Sequence, residues 1–216
     1  MKFNRGSGLY VIVDLTALAH ADPFAFARTI LDSAPVFALQ LRAKAATDAR
    51  VLTVASALRE LCHQHNTCFI LNDRPDLAVI CQADGVHVGQ EDLPLQHVSK
   101  LAPGLAVGHS THTLAQLEQS LSLRPDYIAL GPIFSTQSKH NPDPIVGLEL
   151  LRQAAIRCDE VKIPLVAIGG ITLETARAVR GTGANCAAII GGLSQFANDE
   201  PMLRSHTRAL VEALSG

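Results

Sequence analysis

Tryptophan is absent, and the aromatic residues make up only 4% of the 216-residue chain. So few flat side chains leave no platform on which nucleotide bases would stack. Charge is sparse and balanced: 18 Lys and Arg face 20 Asp and Glu, for a formal net charge of −2. No basic run disturbs that balance, so no nucleic-acid surface is expected. No apolar stretch nears the ~20 residues that cross a bilayer, so no membrane partner is expected either. The five cysteines, at 62, 68, 81, 158 and 186, lack the paired spacing of a metal site. Cys68 and Cys186 fall in strand-like segments and read as small buried hydrophobes. Met1-Lys2-Phe3-Asn4-Arg5-Gly6 lacks the apolar core of an export signal. A reduced, cytoplasmic protein is expected. Hydrolase signatures are missing too: there is no Ser-His-Asp order, no nucleophile elbow and no His-Glu-x-x-His.

What the chain does have is short apolar runs alternating with helical spacing. The runs predict strands over 9–13, 36–41, 67–71, 85–88, 105–107, 127–130, 163–167 and 186–190. Between and after them, helices are predicted over 23–33, 47–65, 77–81, 95–101, 114–121, 147–157, 172–180 and 202–214. Continuous apolar strands alternating with helices imply a parallel sheet covered on both faces. Eight such units in one chain of this length fit an α/β fold, a (β/α)8 TIM barrel in one domain over 1–216. The competing fold is an open doubly wound sheet. Eight similar units favour closure, and no Gly-x-Gly-x-x-Gly follows the first strand.

The unusual polar clusters follow strands and precede helices, the loops that a barrel gathers at its catalytic rim. The segment from Asp126 to Lys139 is the densest: Thr136, Ser138 and Lys139 occupy four positions after a buried strand. Two hydroxyls and an ammonium suit an oxygen-rich anion such as phosphate, and a solvated loop is the plainer reading. Arg42 and Lys44 follow the second strand, and with Lys139 they would hold a highly charged anion. Each could equally be a surface charge. Gln40 is harder to read that way, because its strand neighbours are apolar. Asp73 and Asp92 follow adjacent strands. Beside the cations they form a natural Mg²⁺ pair, while singly each could cap a helix. Asn72 either donates to a phosphate oxygen or holds a turn. Gly169-Gly170 and Gly191-Gly192 end the last two strands, where backbone N–H groups often bind phosphate and where tight turns also occur. His87 reads as a core residue, and His112 reaches either the barrel mouth or solvent.

In combination these pieces resemble the thiamine phosphate synthases and their relatives, the thiazole tautomerases. The matching segments are Gln40-Leu41-Arg42-Ala43-Lys44, the run from Leu71 to Ala78, the run from Ala83 to Pro94, Gly108 to Thr113, the Asp126 to Lys139 stretch, and Ala167 to Ile171. The resemblance runs from the first strand to the last. It implies a (β/α)8 transferase that joins hydroxymethylpyrimidine diphosphate to thiazole phosphate, releasing pyrophosphate. It also implies a Mg²⁺ cofactor held by Asp73 and Asp92. Arg42, Lys44, Asn72 and Lys139 match diphosphate ligands, with Gln40 beside the pyrimidine and Ser110 touching both. Thr136, Ser138, Gly170 and the Ile190-Gly191 turn match the thiazole phosphate site. Arg42, Lys44, Ser110 and Lys139 would carry the chemistry by stabilising the departing pyrophosphate. The chain departs from the family in three places. Ile190-Gly191 stands where Val-Ser is frequent, Ser138 where Thr is usual, and Ala43 where Glu is frequent. Two other functions stay open: a thiazole tautomerase-like isomerase with His112 as its acid/base, and a non-catalytic phosphate-ligand-binding paralogue. The sequence does not decide whether the chain forms a homo-oligomer.

Overall fold

Alternation within each strand decides which side chains meet the helices and which meet the barrel interior. The computed structural model describes residues 6–136 and 143–215. In order, the elements are β1 (Gly8–Asp14), α1 (Pro23–Leu31), β2 (Ala38–Arg42), α2 (Asp48–Gln64), β3 (Cys68–Asn72) and α3 (Pro75–Ile80). There follow β4 (Gly85–Val88), α4 (Leu95–Leu101), β5 (Ala106–Thr111), α5 (Leu114–Leu123), β6 (Tyr127–Leu130) and α6 (Gly147–Val161). The chain closes with β7 (Leu165–Ile168), α7 (Leu173–Arg180), β8 (Cys186–Ile189), a one-turn α8 (Gly191–Ser194) and α9 (Glu200–Leu214). Each strand pairs in parallel with the next, and β1 pairs with β8 to close the barrel.

Two cores result. Leu9, Val11, Leu39, Leu41, Phe69, Val86 and Ile128 point outward into the layer beneath the helices. Each such burial stabilises the fold by about 1.5–3 kcal/mol. The alternate positions, Tyr10, Ile12, Ala38, Cys68, Ile70, Ala106, Tyr127 and Ala129, fill the lumen. Alanine is frequent there because two tyrosine rings already occupy much of the space. Helix starts follow local chemistry. The Asp22 carboxylate accepts from the Phe24 N–H at 2.9 Å ahead of Pro23, Thr47 caps α2, and Thr172 and Thr175 form a reciprocal capping box on α7.

The structure moves several expected boundaries. β5 runs through His109, Ser110 and Thr111, which read as loop because they are polar. They stay in the ladder because Ser110 pairs with Ala129, and the Thr111 hydroxyl donates to the Ala129 carbonyl at 3.0 Å. α6 continues four residues past its expected end and stops at Lys162, in the left-handed conformation. Gly191-Gly192 opens the short α8 rather than a bare loop.

Candidate functional site

The C-terminal ends of the strands surround a cleft of about 860 Å³. Gln40, Arg42, Lys44, Asn72, Asp73 and Asp92 line one side. Thr136, Gly170, Ile190 and Gly191 line the other, with Ser110 between. These residues, dispersed along the sequence, are brought to one rim because each ends a strand or follows one. Ser138 and Lys139 lie outside the described residues.

The charges are arranged in pairs. Arg42 donates through Nη1 to Oδ2 of Asp14, the last residue of β1. Asp14 is 3% exposed and also accepts from the Thr16 and Ala17 N–H groups, at 2.8 and 3.3 Å. The guanidinium is therefore held in place by a carboxylate that is itself fixed. Lys44 Nζ lies 3.1 Å from Asp73 Oδ2. The Asp73 carboxyl is held above the usual carboxylate range, first by burial and next by the Asp92 carboxyl beside it, with Lys44 acting in the opposite direction. Asp92 accepts from the Gly89 N–H at 2.7 Å.

Helix capping accounts for neither acid. α3 has Arg74 and α4 has Pro94 at the N-cap, and neither helix has a side-chain cap. Asp73 sits in the left-handed region at φ 64°, an uncommon placement for a residue other than glycine. Asn72 Nδ2, next to it, is buried without a hydrogen-bond partner among the described residues. An orphaned donor beside two facing carboxylates and a cation suits an anion and a hard divalent cation arriving together. No group of three His, Cys, Asp or Glu comes together among the described residues. A cation at this pair would thus take its remaining ligands from water and substrate, the habit of Mg²⁺.

The opposite side is shaped by backbone. Gly170 has φ 65°, and a Cβ there would lie 2.3 Å from the Ser135 carbonyl oxygen. Only glycine lets these two backbones approach. At Gly191 φ lies outside the left-handed region, and an added Cβ would meet nothing within 4 Å.

Beneath the rim runs a string of hydrogen bonds. Gln40 Nε2 donates to the Tyr10 hydroxyl at 2.8 Å, the Tyr10 and Tyr127 hydroxyls are 2.9 Å apart, and Tyr127 lies 3.0 Å from His87 Nδ1. His87 Nε2 is 2.8 Å from Ser110 Oγ. His87 is the buried residue its strand position suggests, with both ring nitrogens engaged. His112 reaches the barrel mouth, donating from Nδ1 to the Gly131 carbonyl at 2.6 Å, with Asp143 at 3.5 Å. Asp14, Tyr10, Tyr127 and Asp143 are among the residues of this site that escaped sequence reading. Asp14 offered one signal, an acid ending an apolar strand. The tyrosines looked like ordinary core.

Residues 9–193 match the family described as "Thiamine monophosphate synthase". A thiamine-phosphate synthase of Chlorobium phaeovibrioides is 39% identical over 99% of both chains. One from Synechococcus sp. (strain WH7803) is 40% identical over 82% of this chain, which spans only 48% of that longer relative. Among solved structures, a thiamine phosphate pyrophosphorylase from Pyrococcus furiosus superposes with a TM-score of 0.84 at 31% identity, covering 98% of this chain and 96% of its own. Family match, near full-length relatives and superposed barrel agree with the paired acids and cations of the rim, and the chain belongs to the thiamine monophosphate synthase family.

Proposed function

We propose that this barrel is a thiamine-phosphate synthase, a transferase that joins hydroxymethylpyrimidine diphosphate to thiazole phosphate and releases pyrophosphate. The observation that carries the reading is the cluster of Asp73, Asp92, Lys44 and the unpartnered Asn72 amide on one side of the cleft. Arg42, oriented by Asp14, and Lys44 bind the diphosphate, and the Asn72 amide donates to one of its oxygens. Gln40 lies beside the pyrimidine, and Ser110 faces the diphosphate from β5. Asp73 and Asp92 would hold a Mg²⁺ ion, which would supply charge neutralisation to the departing pyrophosphate. Across the cleft, the Thr136 side chain and the backbone at Gly170, Ile190 and Gly191 take the thiazole phosphate, with Ser138 and Lys139 assigned there and to the diphosphate by the sequence pattern.

The carbon–oxygen bond to pyrophosphate sits on an electron-rich pyrimidine, so it breaks by ionisation and the thiazole nitrogen captures the cation. The side chains contribute positioning and charge, and no general base is needed. Five buried, unpaired cysteines suit a reducing compartment such as the cytoplasm. Pyrophosphate release measured with both substrates, with and without Mg²⁺, tests the reading. Release that needs both substrates and the metal supports it. Absence of release, with thiazole isomerised or merely bound, would replace it with one of the two alternative functions.

A further inference from the structure

Ser110 and His87 stand 2.8 Å apart with Tyr127 behind the imidazole, the spacing of a nucleophile and its base. The surroundings argue for a different use. His87 lies buried inside the barrel, with a phenol on Nδ1 and a serine hydroxyl on Nε2 and no carboxylate hydrogen-bonded to either nitrogen. It is a neutral imidazole with one N–H, not a base at working pH. Both phenols are pushed far above their ordinary range, chiefly by burial, so they keep their protons.

The first link is compatible with one continuous proton order along the string. Gln40 Nε2 can only donate, and it donates to Tyr10. With one proton per link, Tyr10 donates to Tyr127 and Tyr127 donates to His87 Nδ1. The single N–H of His87 is then on Nε2 and is given to Ser110 Oγ. Ser110 has received a hydrogen bond, and its own proton is free to point elsewhere.

Room for this string is built into the strands. His87 pairs in register with Gly108, and Gly108 pairs with Tyr127. A Cβ on Gly108 would lie 2.0 Å from Tyr127 Cζ and 2.4 Å from its hydroxyl. The missing side chain lets the phenol lie across β5 and stack on His87, with ring centroids 5.5 Å apart and planes at 26°.

We propose that Tyr10, Tyr127 and His87 are positioning residues that hold one direction of hydrogen-bond donation from Gln40 to Ser110, and so aim the Ser110 hydroxyl proton into the cleft. The synthase reading enters only in what receives that proton, an anionic oxygen of the diphosphate. A reversed string would make Ser110 donate to His87 and present an acceptor lone pair to an anion.

Side-chain ¹⁵N NMR of the histidines in the full chain tests the direction without turnover, with the His87 signals assigned by their loss in His87→Gln. A protonated Nε2 and bare Nδ1, unchanged between about pH 5.5 and 8, is the expected result. Tyr127→Phe removes the donor to Nδ1. It should give a tautomer mixture and lower kcat about tenfold, the worth of one hydrogen bond, with the thiazole phosphate KM unmoved. Tyr10→Phe cuts the tie to Gln40 and should likewise give a tautomer mixture, which keeps the proposal falsifiable if Tyr127→Phe folds poorly; a Tyr10→Phe protein with the wild-type tautomer also overturns it. A proton on Nδ1 in the wild type overturns the proposal. A Tyr127→Phe protein with wild-type tautomer and kcat also overturns it. Failure of the synthase reading would show separately, as missing pyrophosphate release with the tautomer intact.

Discussion

Asp92→Asn should stabilise the metal-free protein while abolishing its Mg²⁺ response. Asp73 is a buried carboxyl facing a second carboxyl, and both effects raise its proton affinity in the fold. A carboxyl with a raised folded pKa binds protons more tightly folded than unfolded. Its ionised form is thus a penalty to the fold above that pKa, and the penalty is relieved as pH falls through it. Like charges in close contact repel by roughly 3–4 kcal/mol at an effective dielectric of 20. Lys44 Nζ, 3.1 Å from Asp73, offsets part of this, but its side chain is 53% exposed and the attraction is screened. Such an exposed pair offsets at most about 1 kcal/mol, so the net repulsion relieved is about 2 kcal/mol. Asparagine keeps the shape and an oxygen that accepts the Gly89 N–H, so the 2.7 Å bond from that backbone is retained.

For a chain of this length, each 1 kcal/mol corresponds to about 2–4 °C in melting temperature. The assay is thermal unfolding in EDTA at about pH 7.5 and again at about pH 5.5, then at pH 7.5 with Mg²⁺ and pyrophosphate. Wild type should gain more stability on acidification than the variant. Mg²⁺ with pyrophosphate should raise the melting temperature of wild type alone, by mass action on the folded state. A variant that melts lower in EDTA at neutral pH would refute the repulsion. One that keeps Mg²⁺-dependent pyrophosphate release would remove Asp92 from the metal site.

Three further outcomes are expected. Gly170→Ala forces a Cβ into a left-handed backbone 2.3 Å from the Ser135 carbonyl oxygen, and should lower stability by about 2–5 kcal/mol together with thiazole phosphate affinity; an unchanged melting curve contradicts the tight approach. Gly191→Ser meets open space at an ordinary φ, so it should leave melting unaltered and tighten thiazole phosphate binding by about 1.5–3 kcal/mol; weaker binding moves the phosphate away from this turn. Lys139→Ala should raise the barrier by about 2–4 kcal/mol with no matching loss of stability, and unchanged turnover would return Lys139 to the solvated surface.

The barrel was legible because its signal is repeated eight times. Each strand is a continuous apolar run, since one face meets helices and the other meets the lumen, and that two-sided burial has one common architectural answer. Boundaries were less legible where polar residues continue a strand. His109, Ser110 and Thr111 look like a turn until their ladder partners on β6 are known. The placement of Arg42, Lys44, Asp73 and Asp92 was readable for a related reason. They sit at strand ends, and closure carries all strand ends to one rim whatever the details of packing.

What was not readable is how these groups pair, because pairing depends on register between distant segments. Asp14 and Arg42 are 28 residues apart and meet because β1 and β2 align them as opposite residues in the ladder. Tyr10 and Tyr127 are 117 residues apart and meet across the lumen. In sequence each tyrosine is one more large residue in an apolar run, and nothing local distinguishes a phenol that donates from a ring that only fills space. The nearest trace is Gly108, which the sequence places just after the predicted strand over 105–107 and which the structure places inside β5. Such a glycine marks a bulge or a close approach without saying what approaches. The closed barrel identifies it as Tyr127, so the glycine of β5 is the residue that admits the phenol to His87.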